Sequence, residues 1–240
     1  MKRLIRKTVR NMGWELTRFR PETSNWARLV RMLSTHGVNT VLDIGANTGQ
    51  YAKNLRDAGF EGKIVSFEPL LEAHSQLCRA ARNDPLWTIA ERMAIGDRDG
   101  YGEIHVGHNS VFSSFLPTLD ALRDADPDCG FVEKQTVPIA RLDSVANRFI
   151  DRGKSFFVKV DVQGFESKVL DGAPELLNHA VGLQLELPLV EVYEGVVLFQ
   201  SFLERMHNLD FDLWSLIPGF VDIKTGRLFE VDGVFFKRLK

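Results

Sequence analysis

One stretch of the chain, residues 40–69, constrains the fold more than any other. It begins with a short apolar run at residues 41–44, which is typical of a strand buried on both faces of a parallel sheet. Gly45 and Gly49 follow, and the next turns repeat apolar side chains at helical spacing. A second apolar run then ends at Glu68. The order strand, glycine-rich turn, helix and strand predicts a βαβ unit, with its ligand above the carboxyl ends of the strands.

The glycine spacing narrows the class of ligand. A dinucleotide fingerprint has three glycines spaced G-x-G-x-x-G, whereas this loop has only Gly45 and Gly49. Both lack a Cβ atom, so the backbone can approach a ligand, and Asn47 or Thr48 is placed to cap the next helix. Glu68 follows at a spacing that suits hydrogen bonds from ribose hydroxyls. The alternative is an ordinary βαβ unit with a glycine-rich turn.

Length and composition bound the protein class. The chain has 240 residues, of which 44% are hydrophobic, enough for one domain with small additions. Its net charge of −2 gives no footprint for nucleic acid. No apolar run is long enough to span a bilayer or to serve as an export signal. The two cysteines, Cys78 and Cys129, indicate reduced thiols and a cytoplasmic protein.

The first 20 residues differ from the rest of the chain. They carry seven basic side chains against the single acid Glu15, and their apolar residues fall near one side of a helical wheel. We expect a basic helix packed on the edge of the domain. The alternative is peripheral contact of residues 1–20 with an anionic membrane surface or with a lipid-linked substrate.

The remaining chain alternates predicted strands and helices. Residues 107–133 interrupt this alternation and are predicted to form a lid or binding loop. Pro138 cannot donate a ladder hydrogen bond, so we place its strand at an edge or a bulge, and we expect Asp143 to cap the short helix that follows. Besides the first two, the predicted main strands are residues 87–95, 156–162, 181–187, 211–217 and 233–237.

Six short motifs carry a family resemblance, at residues 42–51, 67–69, 94–97, 109–114, 160–166 and 185–187. Their order and spacing are similar to those of the FkbM family of S-adenosylmethionine-dependent O-methyltransferases, over residues 38–238. The resemblance implies an α/β fold with the class I methyltransferase sheet, which is Rossmann-like, doubly wound and seven-stranded, with an antiparallel C-terminal strand. It divides the chain into an N-terminal basic helical extension, residues 1–37, and a methyltransferase domain, residues 38–240.

The resemblance also implies where S-adenosylmethionine binds. The backbone around Gly45 and Gly49 holds the methionine part, Asp43 helps to place it, and Glu68 binds the ribose. The carboxyl end of the third strand lies beside the adenine in sheets of this kind. The predicted cofactor residues are therefore Asp43, Gly45, Asn47, Gly49, Glu68, Met93 and Ala94.

Catalysis is expected at the ends of the later strands. A hydroxyl acceptor must lose its proton during methyl transfer, and Asp161 is our candidate base. Glu186 is expected to orient the hydroxyl or to share the proton, and His108 is the alternative base. We name no metal ligand, although these acids beside a His could hold Mg²⁺. Gln163 stands where many family members carry Glu, which weakens such a metal site.

The family implies an acceptor among sugar hydroxyls of glycolipids, polysaccharides or glycosylated metabolites. Two alternatives remain, a catalytically silent nucleoside-binding module and a NAD-dependent sugar-modifying enzyme. The absence of G-x-G-x-x-G and of a Tyr-x-x-x-Lys pair counts against the second alternative. The sequence predicts neither the hydroxyl position nor the oligomeric state.

Overall fold

A computed structural model describes residues 2–151 and 153–238 of the chain, with side chains described from residue 7 onward. The strands of the described chain are β1 (Thr40–Ile44), β2 (Lys63–Phe67), β3 (Trp87–Ile89), β4 (Ala94–Gly96), β5 (Gly100–Gly107), β6 (Phe131–Arg141), β7 (Phe156–Val160), β8 (Gly182–Pro188), β9 (Phe211–Pro218) and β10 (Glu230–Lys237). Most of them form one seven-stranded sheet in the order β3-β2-β1-β7-β8-β10-β9, in which β10 runs antiparallel to both of its neighbours. The predicted doubly wound sheet with an antiparallel C-terminal strand is confirmed.

Helices cover both faces of this sheet, as its strands, buried on both sides, require. One core cluster joins Leu42 and Val158 to the helices between residues 166 and 208, and another joins Val41 and Ile64 to the helices between residues 25 and 81. The helices of the described chain are α1 (Lys2–Asn11), α2 (Asn25–Thr35), α3 (Gln50–Asp57), α4 (Leu71–Ala81), α5 (Asp120–Ala125), α6 (Leu142–Val145), α7 (Glu166–Asp171), α8 (Pro174–His179) and α9 (Phe199–Asn208).

The N-terminal 37 residues do not behave as one unit. Leu29 and Leu33 of α2 are buried in the same cluster as Val41, so α2 is a layer of the sheet domain. Residues 7–20 instead remain exposed apart from Val9, and Trp14 keeps 73% of its surface. The expectation that this basic segment packs on the domain edge is therefore wrong for the side chains described. No helix within residues 2–151 or 153–238 has the length and apolar character needed to cross a bilayer.

The predicted third strand, residues 87–95, is two strands. Residues 87–89 pair with β2 in the main sheet, and the chain then turns so that Ala94 pairs with Ile139 of β6. A three-stranded sheet of order β4-β6-β5 results, which the apolar pattern did not predict. Pro138 lies in its central strand rather than at an edge, but β4 pairs only from Ile139 onward, so one side of Pro138 remains open.

Two predicted helix caps are also wrong. The residue before α3 is Gly49, whose left-handed backbone (φ 87°) begins the helix without a side-chain cap from Asn47 or Thr48. Asp143 does not cap its own helix, α6. Its two carboxylate oxygens accept the backbone N–H groups of Glu175 and Leu176 at 3.2 and 2.9 Å, in the first turn of α8. Because Asp143 caps a helix that begins some 30 residues later in the chain, local sequence spacing could not predict this cap.

Candidate active site

A cavity of about 570 Å³ opens at the carboxyl ends of the parallel strands. It is the position at which ligands bind open α/β sheets. Four predicted site residues, Asp43, Gly49, Glu186 and His108, do not line it. The six that do are Gly45, Asn47, Glu68, Met93, Ala94 and Asp161.

Glu68 ends β2 and is fixed by backbone hydrogen bonds. Its Oε2 accepts the N–H of Asn47 at 2.8 Å, and its Oε1 accepts the N–H of Leu70 at 2.9 Å. Burial raises the pKa of Glu68 to about 7, against the opposing effect of these two donors. Each carboxylate oxygen keeps a further lone pair, so the ionised side chain can still accept bonds from ligand hydroxyls.

The loop after β1 is held against its neighbours. A Cβ built on Gly45 (φ 77°) would lie 1.8 Å from the carbonyl oxygen of Asp161, and one on Gly49 would lie 2.6 Å from the ring of Trp87. Both glycines are thus required by contacts within the protein, and Gly49 packs behind the cavity instead of touching a ligand. Asn47 lines the cavity and bonds through its side-chain amide to the Ser110 hydroxyl at 3.1 Å, which ties this loop to the predicted lid.

Lys159 connects the two ends of the site. Its ammonium lies 3.2 Å from Asp43 and 3.4 Å from Asp161, and it donates to the carbonyl oxygen of Gly45 at 3.1 Å. Burial acts to lower the pKa of Lys159, but the two carboxylates outweigh burial and raise it. Asp43 is fully buried and also accepts a bond from the Ser66 hydroxyl at 3.2 Å. It therefore acts on the cavity through Lys159 rather than by touching a ligand.

Gln163 joins the acidic side chains at the ends of β7 and β8. Its Nε2 donates to Asp161 at 3.0 Å and to both oxygens of Glu186 at 3.0 and 3.2 Å, while its Oε1 accepts the Tyr193 hydroxyl at 2.9 Å. The Tyr193 bond fixes which end of the amide faces the acids. The backbone of Gln163 adopts φ 56°, a left-handed conformation uncommon for this residue type. Glu186 thus lies behind Gln163 and reaches the cavity only through it.

His108, the alternative base, is exposed and lies outside the cavity wall, and its backbone N–H donates to Gly130. Residues 107–113 turn back so that Ser114 pairs with His105 of β5, and the side chains that reach the cavity from this loop are Ser110, Val111 and Ser113. Of the two candidate bases, Asp161 lines the cavity and His108 does not.

Acidic side chains outnumber basic ones at this end. Burial, with the nearby Glu230 and Asp161, raises the pKa of Glu186 well above its usual value. Burial first and Asp161 second raise the pKa of Glu230 to about 8 and that of Asp232 to about 6. Within the described residues no group of three or more His, Cys, Asp or Glu side chains is arranged to hold a metal ion, so nothing supports the possibility of Mg²⁺ raised from the sequence.

Several lining residues were missed by the sequence reasoning. Gln184 of β8 accepts a bond from the Tyr51 hydroxyl at 3.0 Å, and Trp26 of α2 packs edge-on against Tyr51 with ring centroids 5.3 Å apart. The sequence motifs did not single out Trp26 as a site residue. Gln184 alternates with Glu186 along β8, and that alternation was the signal available for it.

Comparison with known proteins gives distant structural likeness and one family. The chain resembles precorrin-6y C5,15-methyltransferase from Geobacter metallireducens GS-15, with 9% identity and a TM-score of 0.47, over 89% of this chain and 87% of that one. It also resembles ribosomal protein L11 methylase from Lactobacillus delbrueckii subsp. bulgaricus, with 10% identity and a TM-score of 0.44, over 89% and 77%. No curated protein sequence matches the chain.

The family match is more direct. Residues 43–213 match the methyltransferase FkbM domain, which is most of the chain and includes Glu68, Asp161 and Gln163. This match confirms the family resemblance drawn from the six motifs. The chain belongs to the FkbM methyltransferase family.

Proposed function

We propose that the protein transfers a methyl group from S-adenosylmethionine to a hydroxyl, on a sugar of a glycolipid, polysaccharide or glycosylated metabolite. The observation that supports this most is that Glu68 and Asp161 line one cavity. They follow β2 and β7, which flank β1, so roughly 10 Å separates the strands that carry them. Such a span fits one bound nucleoside sulfonium once the hydrogen bond from the ribose to Glu68 and the contact of the acceptor hydroxyl with Asp161 are added to the ligand's own length.

The charges of the site fit such a ligand. S-adenosylmethionine carries a sulfonium and an ammonium, and the cavity wall has Asp161 and Asp232 with Lys159 as a partly compensating cation. Glu186 and Glu230 add carboxyl groups just behind the wall. A positive ligand therefore reduces the repulsion among these acids, whereas a pyrophosphate would increase it. This contrast also argues against a NAD-dependent enzyme.

When bound, S-adenosylmethionine supplies an electrophilic methyl carbon. Asp161 accepts the hydroxyl proton of the acceptor as the oxygen attacks that carbon. The Asp161 side chain is 36% exposed, so it can afterwards release the proton to solvent. Lys159 and Gln163 hold its two oxygens at 3.4 and 3.0 Å, and Glu186 positions Gln163.

The direct test incubates the purified chain with S-adenosylmethionine labelled in the methyl group and a glycolipid and polysaccharide extract. We expect label in a hydroxyl-bearing glycan product, recovered as an O-methyl sugar after hydrolysis. Titration with S-adenosylhomocysteine in a calorimeter checks the cofactor half alone. Binding without any labelled product from glycans, lipids or small molecules would favour the silent nucleoside-binding module.

We also propose that residues 1–20 contact an anionic membrane surface. This segment has seven basic residues and a single acidic one, and the side chains of Met12, Trp14 and Phe19 are all mostly exposed. Basic residues near anionic lipid and aromatic residues at the interface both favour such contact. Sedimentation with vesicles tests it. Binding should require anionic lipid and be lost on deletion of residues 2–20, and equal binding to neutral vesicles contradicts it.

A further inference from the structure

The cavity extends past the region that a nucleoside would fill. In the sheet order, β8, β10 and β9 lie on the opposite side of β7 from β1 and β2. A cofactor held by Glu68 with its methyl group near Asp161 accounts for the part over β2, β1 and β7. The remaining wall is built by Gln184, Asp232, Ile217, Pro218, Asn25 and Trp26, from β8, β10, β9 and α2.

Trp26 is the aromatic residue of this remaining wall, and it is held in place. It lies in the first turn of α2, which Ser24 caps by accepting the N–H of Ala27 at 3.3 Å. Arg28 ties the same turn to the preceding segment, with Nε donating to the Pro21 carbonyl at 2.8 Å. The indole contacts Tyr51 at 62° and is only partly buried. Part of a fixed indole therefore remains open to the cavity.

Two polar side chains of this wall, Gln184 and Asp232, are also held by hydrogen bonds. The Oε1 of Gln184 is taken by Tyr51, and a hydrogen bond from Gln184 to Asp232 holds that carboxyl. Asn25 and Asn54 add amides from the first turn of α2 and from α3. An indole with amide and carboxyl groups around it suits a pyranose, because a sugar ring has C–H groups on its faces and hydroxyls at its rim.

Charge selects among sugars and against other acceptors. Asp161 and Asp232 line the cavity, and Glu230 lies close enough to both that, in addition to burial, their charges raise its pKa. Carboxylates in a partly buried site repel a phosphate, a sulfate or a uronate strongly. The wall therefore disfavours RNA and acidic sugars, and favours an uncharged ring.

From these contacts we propose that Trp26, Asn25, Asn54 and Asp232 form an acceptor subsite for an uncharged sugar ring, with one of its hydroxyls directed to Asp161. The proposal rests on the proposed methyltransferase function. Most of the subsite lies outside the matched family domain, since Asn25, Trp26 and Asp232 fall before residue 43 or after residue 213. Acceptor choice is thereby separated from the family's cofactor motifs.

The experiment uses octyl glycosides of glucose, galactose, mannose and rhamnose as acceptors, with octyl glucuronide as the acidic counterpart of the first. We expect label transfer to at least one neutral glycoside, and discrimination against the glucuronide by at least about ten-fold, as one unfavourable charge interaction predicts. Asp232→Asn should narrow that discrimination, while Asp212→Asn, on exposed β9, should not. Preference for the glucuronide or for RNA overturns the proposal.

Trp26→Leu tests the ring contact. We expect the KM for the neutral glycoside to rise about ten-fold, because an aromatic contact is worth about 1 kcal/mol or more. Trp26→Phe should restore most of the wild-type KM. Trp214→Leu, which removes a Trp of β9 that is 48% exposed, should leave this KM unchanged. An unchanged KM in Trp26→Leu overturns the subsite.

Calorimetry with S-adenosylhomocysteine distinguishes failure of the methyltransferase proposal from failure of the acceptor subsite. If the wild type gives no heat, the methyltransferase proposal itself fails. If it binds S-adenosylhomocysteine but transfers no label, saturation-transfer NMR of the same glycosides on that complex decides. Glycoside signals that depend on Trp26 support the subsite, and their absence for every glycoside overturns it.

Discussion

The two halves of the cavity are built in different ways. Over β1 and β2, Glu68 and Asn47 are held by backbone hydrogen bonds or by a neighbouring loop, within about 25 residues of one another. Over β8, β10 and β9, the wall comes from segments as distant as Trp26 and Asp232. The first half is local in sequence and lies inside the family match, and the second is assembled by the tertiary fold. Cofactor binding can therefore remain constant while acceptor choice changes.

Asp161 lies where the halves meet, and its replacement gives the largest expected effect. Asp161→Asn keeps the shape and the bond from Gln163 but removes the proton acceptor. We expect kcat to fall by about 10²- to 10⁴-fold, as for other general bases, with S-adenosylhomocysteine affinity nearly unchanged. Asp97→Asn, outside the cavity, is the control. A normal kcat in Asp161→Asn would assign the base elsewhere.

Gly45 tests how rigid the first half is. Its Cβ would overlap the Asp161 carbonyl, whereas Gly59, with a similar left-handed backbone (φ 94°), has open space around it. Gly59→Ala should cost about 1–2 kcal/mol of unfolding free energy from backbone strain. Gly45→Ala should cost at least about 3 kcal/mol because a backbone clash is added. Urea denaturation measures the unfolding free energy of both variants. Equal decreases would mean that the loop after β1 can move to relieve the clash with the Asp161 carbonyl.

Glu68 tests the cofactor half alone. Glu68→Gln leaves one acceptor oxygen and places an NH₂ group against a backbone N–H of Asn47 or Leu70. We expect the Kd for S-adenosylhomocysteine to rise about 10- to 100-fold, since a hydrogen bond to a charged group is worth about 1.5–3 kcal/mol. Glu72→Gln, exposed at the start of α4, should be neutral. If the affinity is unchanged, Glu68 does not contact the ribose.

The same contrast explains what the sequence could predict. The βαβ unit, the sheet and Glu68 follow from local periodicity and from a carboxylate at a strand end, and the structure places Glu68 in the cavity wall. The sequence analysis placed Gly49 in contact with the ligand. A glycine in the sequence indicates that a Cβ atom would not fit, but it does not tell whether the neighbouring group is a cofactor or, as here, the side chain of Trp87. Trp26 was overlooked because an aromatic residue that packs partly against the core looks, in the sequence, like any other core residue.

His108 and Glu186 were predicted at the site but do not line the cavity, for a similar reason. Position along the chain gives the strand end or the loop, but not which side chain reaches the wall. At the end of β8, Glu186 is separated from the cavity by Gln163, whose orientation depends on Tyr193 from a later loop. The bend that splits residues 87–95 likewise depends on pairing with β6, a strand some 40 residues further along the chain. Which side chain reaches the cavity and where a strand bends are decided by tertiary contacts, and local sequence patterns do not determine them.

The smallest effect is a pH dependence of cofactor binding. Because burial raises the pKa of Glu68 to about 7, this carboxyl is largely protonated at pH 6 and largely ionised at pH 8. Ribose hydroxyls donate to the ionised form, so binding must expel the proton at low pH. The Kd for S-adenosylhomocysteine should rise about ten-fold per pH unit below 7 and level off above it. Glu166 and Asp232, with pKa values raised to about 7 and 6 by burial, add their own slopes. Repeating the titration with Glu68→Gln removes only the Glu68 contribution, and an identical pH profile in both proteins would show that this carboxyl does not govern binding.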